Sequence, residues 1–95
     1  MVVFTVPCEI AHGQFSNEYS IRIRDVDGSW PATLVQKEEV MASSEPGDGK
    51  LVGGRVIVDV VKIDGKNAII RPRDGGGMFD RACVTVPTNV LRKEK

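Results

Sequence analysis

The stretch Glu18-Tyr19-Ser20-Ile21-Arg22-Ile23-Arg24-Asp25-Val26-Asp27-Gly28-Ser29-Trp30-Pro31-Ala32-Thr33-Leu34-Val35-Gln36 decides the fold class. Tyr19, Ile21 and Ile23 alternate with Ser20, Arg22 and Arg24. Period two, with one apolar and one polar face, is the pattern of a strand in an antiparallel sheet laid on a core. Asp27-Gly28 supplies a tight-turn pair, because glycine tolerates the positive φ that such turns need. A second strand follows, with Trp30, Ala32 and Leu34 on one parity, Thr33 on the other, and Gln36 at its end. Residues 18–36 are therefore predicted to form a hairpin.

Working outward, the same grammar recurs. Val56, Val58 and Val60 share one parity, and Val61 and Ile63 fall on the other. A slip of that kind predicts a β-bulge or coil in a long strand that serves two faces of a barrel. Gly53-Gly54 offers a further bend before it. Asp64-Gly65-Lys66-Asn67 is a second Asp-Gly turn, and Ala68-Ile69-Ile70-Arg71 returns, so 55–73 is predicted as a second hairpin. Single strands flank the pair. Val2 to Val6 is an apolar run ended by Pro7, with Cys8 to Ala11 continuing past a bend, and Arg81 to Val86 is predicted as a late strand. Lys37 to Ala42 reads as one short helical turn or the end of a strand. Ser43 to Lys50 is a mobile loop by composition, and residues 92–95 are a tail or short end strand.

The predicted architecture is all-β: one domain over 1–95, a small antiparallel barrel of five or six strands. The length of 95 residues fits one domain. A core of that size leaves a thin stability margin, which self-association can widen. An exposed edge strand such as Val2–Val6 would suit a homodimer. Formal charge is zero, from 13 basic and 13 acidic residues, which argues against non-specific attraction of the whole molecule to nucleic acid or membrane. Residues 1–47 carry three basic and seven acidic residues, and the remainder ten and six. The halves are thus oppositely charged unless they interleave in the sheet. No run approaches the ~18 apolar residues of a membrane span, and the start lacks the basic n-region of a secretory signal. Two cysteines, Cys8 and Cys83, do not make a disulfide framework. The expectation is a cytoplasmic, reducing setting.

The order strand, hairpin, hairpin, strand, turn, together with Val86-Pro87-Thr88-Asn89-Val90-Leu91, resembles the Src-homology-3 type of small barrel. In that family a proline, a small residue and an asparagine precede the last strand. The resemblance implies the barrel topology. Where the signalling family carries an aromatic ligand-binding residue after the asparagine, Val90 stands.

No catalytic, metal or cofactor constellation stands out. His12, the only histidine, adjoins Gly13 and has no nucleophile at local spacing. Asp25, Asp27 and Ser29 lack the glycine and glutamate positions of a calcium loop, since Gln36 occupies the last. Gly75-Gly76-Gly77 has no following lysine–hydroxyl pair to hold a phosphate. A metal on Cys8, His12 and Cys83 would lack the four ligands of a structural zinc site. Arg81, two residues from Cys83, would share its face in a strand and could activate the thiol.

The candidate binding residues are Trp30, Arg71, Arg73, Phe79 and Arg81. Arginines beside an aromatic are common in protein-binding hot spots. They are also the minimal equipment for stacking and neutralising single-stranded nucleic acid, where Arg92-Lys93 would add charge. Salt-bridged strand ends, with Asp74 and Asp80 as partners, account for the same residues. A non-enzymatic binding or assembly module with a protein partner is the first expectation, nucleic-acid binding the alternative, and a small-ligand pocket the third.

Overall fold

The computed structural model describes residues 2–47, 49–74 and 78–94. It contains β1 (Val3–His12), β2 (Glu18–Arg22), β3 (Ala32–Gln36), a 3₁₀ turn η1 (Lys37–Glu39), β4 (Val40–Ala42), β5 (Val52–Asp64), β6 (Asn67–Pro72), β7 (Val84–Pro87), a second 3₁₀ turn η2 (Thr88–Val90) and β8 (Arg92–Glu94). Six strands form one continuous antiparallel path, β3-β2-β1-β5-β6-β7, with β4 added to β5 and β8 to β1. The sheet curls into a half-barrel around Val6, Ile10, Ile21, Ile23, Val56, Ile70, Val84 and Val86, all buried.

Both predicted hairpins form. β2 meets β3 from Glu18↔Gln36 to Arg22↔Ala32. β5 meets β6 down to Asp64↔Asn67, with a register shift between Val60 and Lys62 where the parity slip lies. The bulge does not serve a second core, however: Val61 and Ile63 are 52% and 60% exposed, because β5 here runs past β1, whose pairing with it ends at Phe4↔Val58. The core face of β3 is the opposite of the expected one. Directly opposed residues share a face, and Tyr19↔Val35 and Ile21↔Thr33 are opposed. Thr33 and Val35 are therefore buried, while Trp30 is 40% exposed and Ala32 and Leu34 are half-buried.

The N-terminal strand is not an edge. β1 runs unbroken through Pro7 and pairs with β5 over Phe4–Ile10, with β8 over Val3–Thr5 and with β2 over Glu9–His12. Pro7 falls between the β8 and β2 partners, where one side of β1 has no neighbour, so a residue without an N–H is tolerated there. A homodimer built on Val2–Val6 as a free edge is thus ruled out by β5 and β8, and residues 92–94 are a paired strand rather than a tail. β7 starts at Val84, not Arg81. Continuing the Ile70↔Val84 register would set Ala82 opposite Pro72, which has no N–H to donate. Arg81 instead accepts the Met78 N–H in a turn (2.9 Å), so Arg81 and Cys83 do not share a strand face.

Gly54 is not a bend but a point of close approach inside β5. A Cβ there would lie 2.5 Å from Ile10 Cδ1 and 2.5 Å from the Met41 carbonyl oxygen. Only glycine lets β1 and β4 flank β5 at this residue.

The seam between the β2–β3 hairpin and β6–β7 is bridged by hydrogen bonds rather than by a ladder. Val26 N donates to Thr85 O (3.0 Å) and Phe79 N to Ala32 O (3.0 Å). Two carboxylates reach across it: Asp25 Oδ2 accepts from Thr85 N (3.0 Å) and Asp74 Oδ2 from Gln36 N (2.7 Å).

Candidate binding groove

The segment joining β2 to β3 is held in a defined shape by its own polar side chains. Ile23 N donates to Pro31 O, and Asp25 N to Ser29 O (2.9 Å). Asp25 Oδ1 accepts the Asp27 N–H, and Asp27 Oδ1 accepts both the backbone N–H and the hydroxyl of Ser29. These are successive Asx turns, and Gly28 takes the positive φ of 91° they require. The Ser29 bonds, with a smaller contribution from Arg81, hold the Asp27 carboxyl below the usual carboxylate range. The residues that superficially suggested calcium ligation are spent on this turn.

The other wall is η2 and the end of β7. Arg55 staples it to β1: Nη2 donates to Val90 O (2.6 Å) and Thr5 O (3.0 Å), and Nε to Thr5 Oγ1 (2.8 Å). Between the two walls lies an open groove of about 540 Å³. Ile23, Val26 and Trp30 line one side, Val86, Pro87 and Val90 the other, and β1 contributes Pro7, Cys8 and Glu9. Its surface is mainly apolar, with Glu9, Arg24 and Asp25 as the charged members. Glu9 is paired with Arg22 and Asp25 with Arg81. Arg24 has no acidic partner among the described residues.

The groove offers no activated nucleophile. Burial pushes the Cys8 thiol up to about 12, against the opposing pull of Arg55, so it stays protonated at neutral pH. Cys83 is half-buried and, like Cys8, unpaired. His12 is exposed at the end of β1. Gly75–Gly77, considered above as a phosphate cradle, lie outside the described residues. Among the described residues no three His, Cys, Asp or Glu side chains gather to hold a metal ion, and no helix is long and apolar enough to cross a membrane.

The candidate residues from sequence are spread over several places. Trp30 is on the groove wall. Phe79 is 69% exposed, beyond the β3 edge that its N–H contacts. Each arginine meets a different acid. Arg71 lies 3.9 Å from Asp59, its cross-strand partner. Arg73 makes a two-pronged contact with Glu39, at 2.8 Å on each prong, and Arg81 lies 3.2 Å from the buried Asp25. Asp80 also approaches Arg81 (3.7 Å), whereas Asp74 is used by Gln36 N. The Glu39 and Asp25 pairs join the acidic and basic halves of the sequence, so the two charge blocks interleave at the seam.

Sequence reasoning did not pick out Ile23, Val26, Val86, Pro87 and Val90 as a surface. The available signal was the Val86-Pro87-Thr88-Asn89-Val90 turn, read there only for topology. A second, shallower notch of about 510 Å³ lies where β5 parts from β1, lined by Val2, Phe4, Val58, Val60 and Val61 with the Asp59–Arg71 pair. Comparison of the chain with protein-family models, with characterised proteins and with solved structures finds no match.

Proposed function

We propose that this chain is a non-enzymatic binding module that takes a short apolar segment of a partner protein into the groove between Trp30 and Val90. The single observation that carries this is the groove itself: apolar on both walls, open, and framed by backbone that Asx turns and Arg55 hold in place. Shaped apolar clefts with a few fixed polar groups are the usual form of a recognition site. The indole N–H of Trp30 has no acceptor among the described residues and is free to donate to a backbone carbonyl.

The order of strand pairing supports the likeness to Src-homology-3 barrels. β1 pairs with both β5 and β8, β5–β6–β7 form a meander, and η2 separates β7 from β8. Val90 in place of an aromatic makes the groove a site for aliphatic rather than proline-rich ligands. The two unpaired cysteines favour a cytoplasmic setting. Nucleic-acid binding through Arg71, Arg73, Phe79 and Arg81 draws less support, since each arginine already faces a carboxylate.

The test is a peptide library displayed against the immobilised protein, followed by titration of selected peptides while Trp30 fluorescence is read. Aliphatic-rich sequences that bind wild type and lose at least tenfold in affinity on Trp30→Ala are expected. Selected peptides that bind Trp30→Ala equally well would overturn the proposal.

A further inference from the structure

Trp30 is the only tryptophan of the chain, and at 40% exposure it is not fixed by core packing. What restrains its ring is a charged stack on the outer face of the sheet. The Arg22 guanidinium carbon lies 4.9 Å from the ring centroid. Arg22 is held in turn by Glu9, whose Oε1 accepts from Nε at 2.6 Å and also from Nη2. The register places Glu9 directly opposite Arg22, and Arg22 opposite Ala32, two residues beyond Trp30. β1 and β2 thus set Glu9 beside Arg22, and the segment leading into β3 brings Trp30 diagonally against Arg22, so that the three groups form one contact chain. Both of its ends, Glu9 and Trp30, line the groove, while Arg22 does not.

We propose that Glu9 and Arg22 are positioning residues of the groove: Glu9 fixes the guanidinium, and the guanidinium fixes the Trp30 ring as a preset wall. This assignment rests on the groove being a binding site. A wall ordered before the ligand arrives spares the rotamer entropy that binding would otherwise cost. Arginine suits the role because its planar fork can grip a carboxylate and stack on an indole at once, which lysine cannot do.

The test uses Trp30 fluorescence in the wild type, Glu9→Gln, Arg22→Leu and Arg22→Lys, with Trp30→Ala as the binding control. Acrylamide quenching and anisotropy report how firmly the ring is held, and Nile red, a neutral apolar dye, reports groove affinity. Arg22→Leu is expected to raise quenching and lower anisotropy. It should weaken dye binding by about two- to fivefold, the size of one exposed cation–π contact. Glu9→Gln should do the same to a lesser degree, and Arg22→Lys should restore part of the loss. Unchanged quenching and anisotropy in Arg22→Leu overturn the proposal, as does a loosened ring with wild-type dye affinity. If Trp30→Ala leaves dye affinity unchanged, the groove has failed as a site. The quenching comparison still decides whether Arg22 holds the ring.

Discussion

Replacing Asp25 by alanine should open the seam of the half-barrel. The Asp25 side chain is 8% exposed and accepts three hydrogen bonds: from Thr85 N at 3.0 Å, Asp27 N at 3.0 Å and Arg81 Nη1 at 3.2 Å. Two of the donors are backbone N–H groups that alanine leaves without an acceptor. A hydrogen bond to a charged group contributes about 1.5–3 kcal/mol net, and the Arg81 pair, half-shielded, adds less. Allowing for water reaching part of the opened site, the loss is about 3–5 kcal/mol. A domain of this length has a total stability of roughly 5–14 kcal/mol, so the variant keeps a fraction of it. The corresponding fall in melting temperature is about 15–30 °C. Urea unfolding followed by Trp30 fluorescence gives the free energy, and calorimetry the temperature. Asp27→Ala is the matched control, since its carboxylate stands at the exposed tip of the same turn. A loss below about 1 kcal/mol for Asp25→Ala would refute the reasoning, because the seam would then not depend on that carboxylate.

Further outcomes follow from the same contacts. Gly54→Ala should cost about 2–3 kcal/mol, since the Met41 carbonyl is backbone and cannot swing away from the new Cβ as a side-chain tip would; a neutral effect in urea unfolding would contradict the packing. Cys8, its thiol raised to about 12, should resist maleimide labelling in the native protein at pH 7–8 and react on unfolding, with Cys83 labelled first; mass spectrometry of labelled peptides reads this directly. The Asp27 carboxyl is held below its unfolded value, so its stabilising contribution is present above an unfolded pKa of about 3.9 and is lost as pH falls through the lower folded value. Asp27→Asn should therefore flatten the fall of stability with pH in the acid range below about pH 4, and identical acid limbs would count against the Ser29 contacts.

The two hairpins were legible because they are local: alternation in Glu18–Arg22 and the Asp-Gly pairs specify themselves within a few residues. The parity of β3 was not. The ladder runs on through Ile23–Pro31 and Asp25–Ser29 to a loop of three residues, Val26–Gly28, rather than the two of an Asp27-Gly28 turn. That one extra residue moves the register by one and puts Thr33 and Val35, opposite Ile21 and Tyr19, in the core. Long-range hydrogen bonds were equally hidden. Asp25 and Asp74 reach Thr85 and Gln36, which lie far from them in sequence, and nothing in the residues marks them as acceptors for backbone across a seam. Of the groove, Trp30 was visible as an exposed aromatic near a turn. Its opposite wall was hidden because Val86 and Val90 look like ordinary core residues until the two strand ends come together.

The most direct test of the groove as a binding site is a ¹⁵N–¹H correlation titration with a selected aliphatic peptide. The largest shifts are expected at the amides of Val26, Trp30, Val86 and Val90 and at the Trp30 indole. Shifts confined to Arg71, Arg73 and Arg81, or to the Val2–Val61 notch, with the Trp30 indole unmoved, would contradict it.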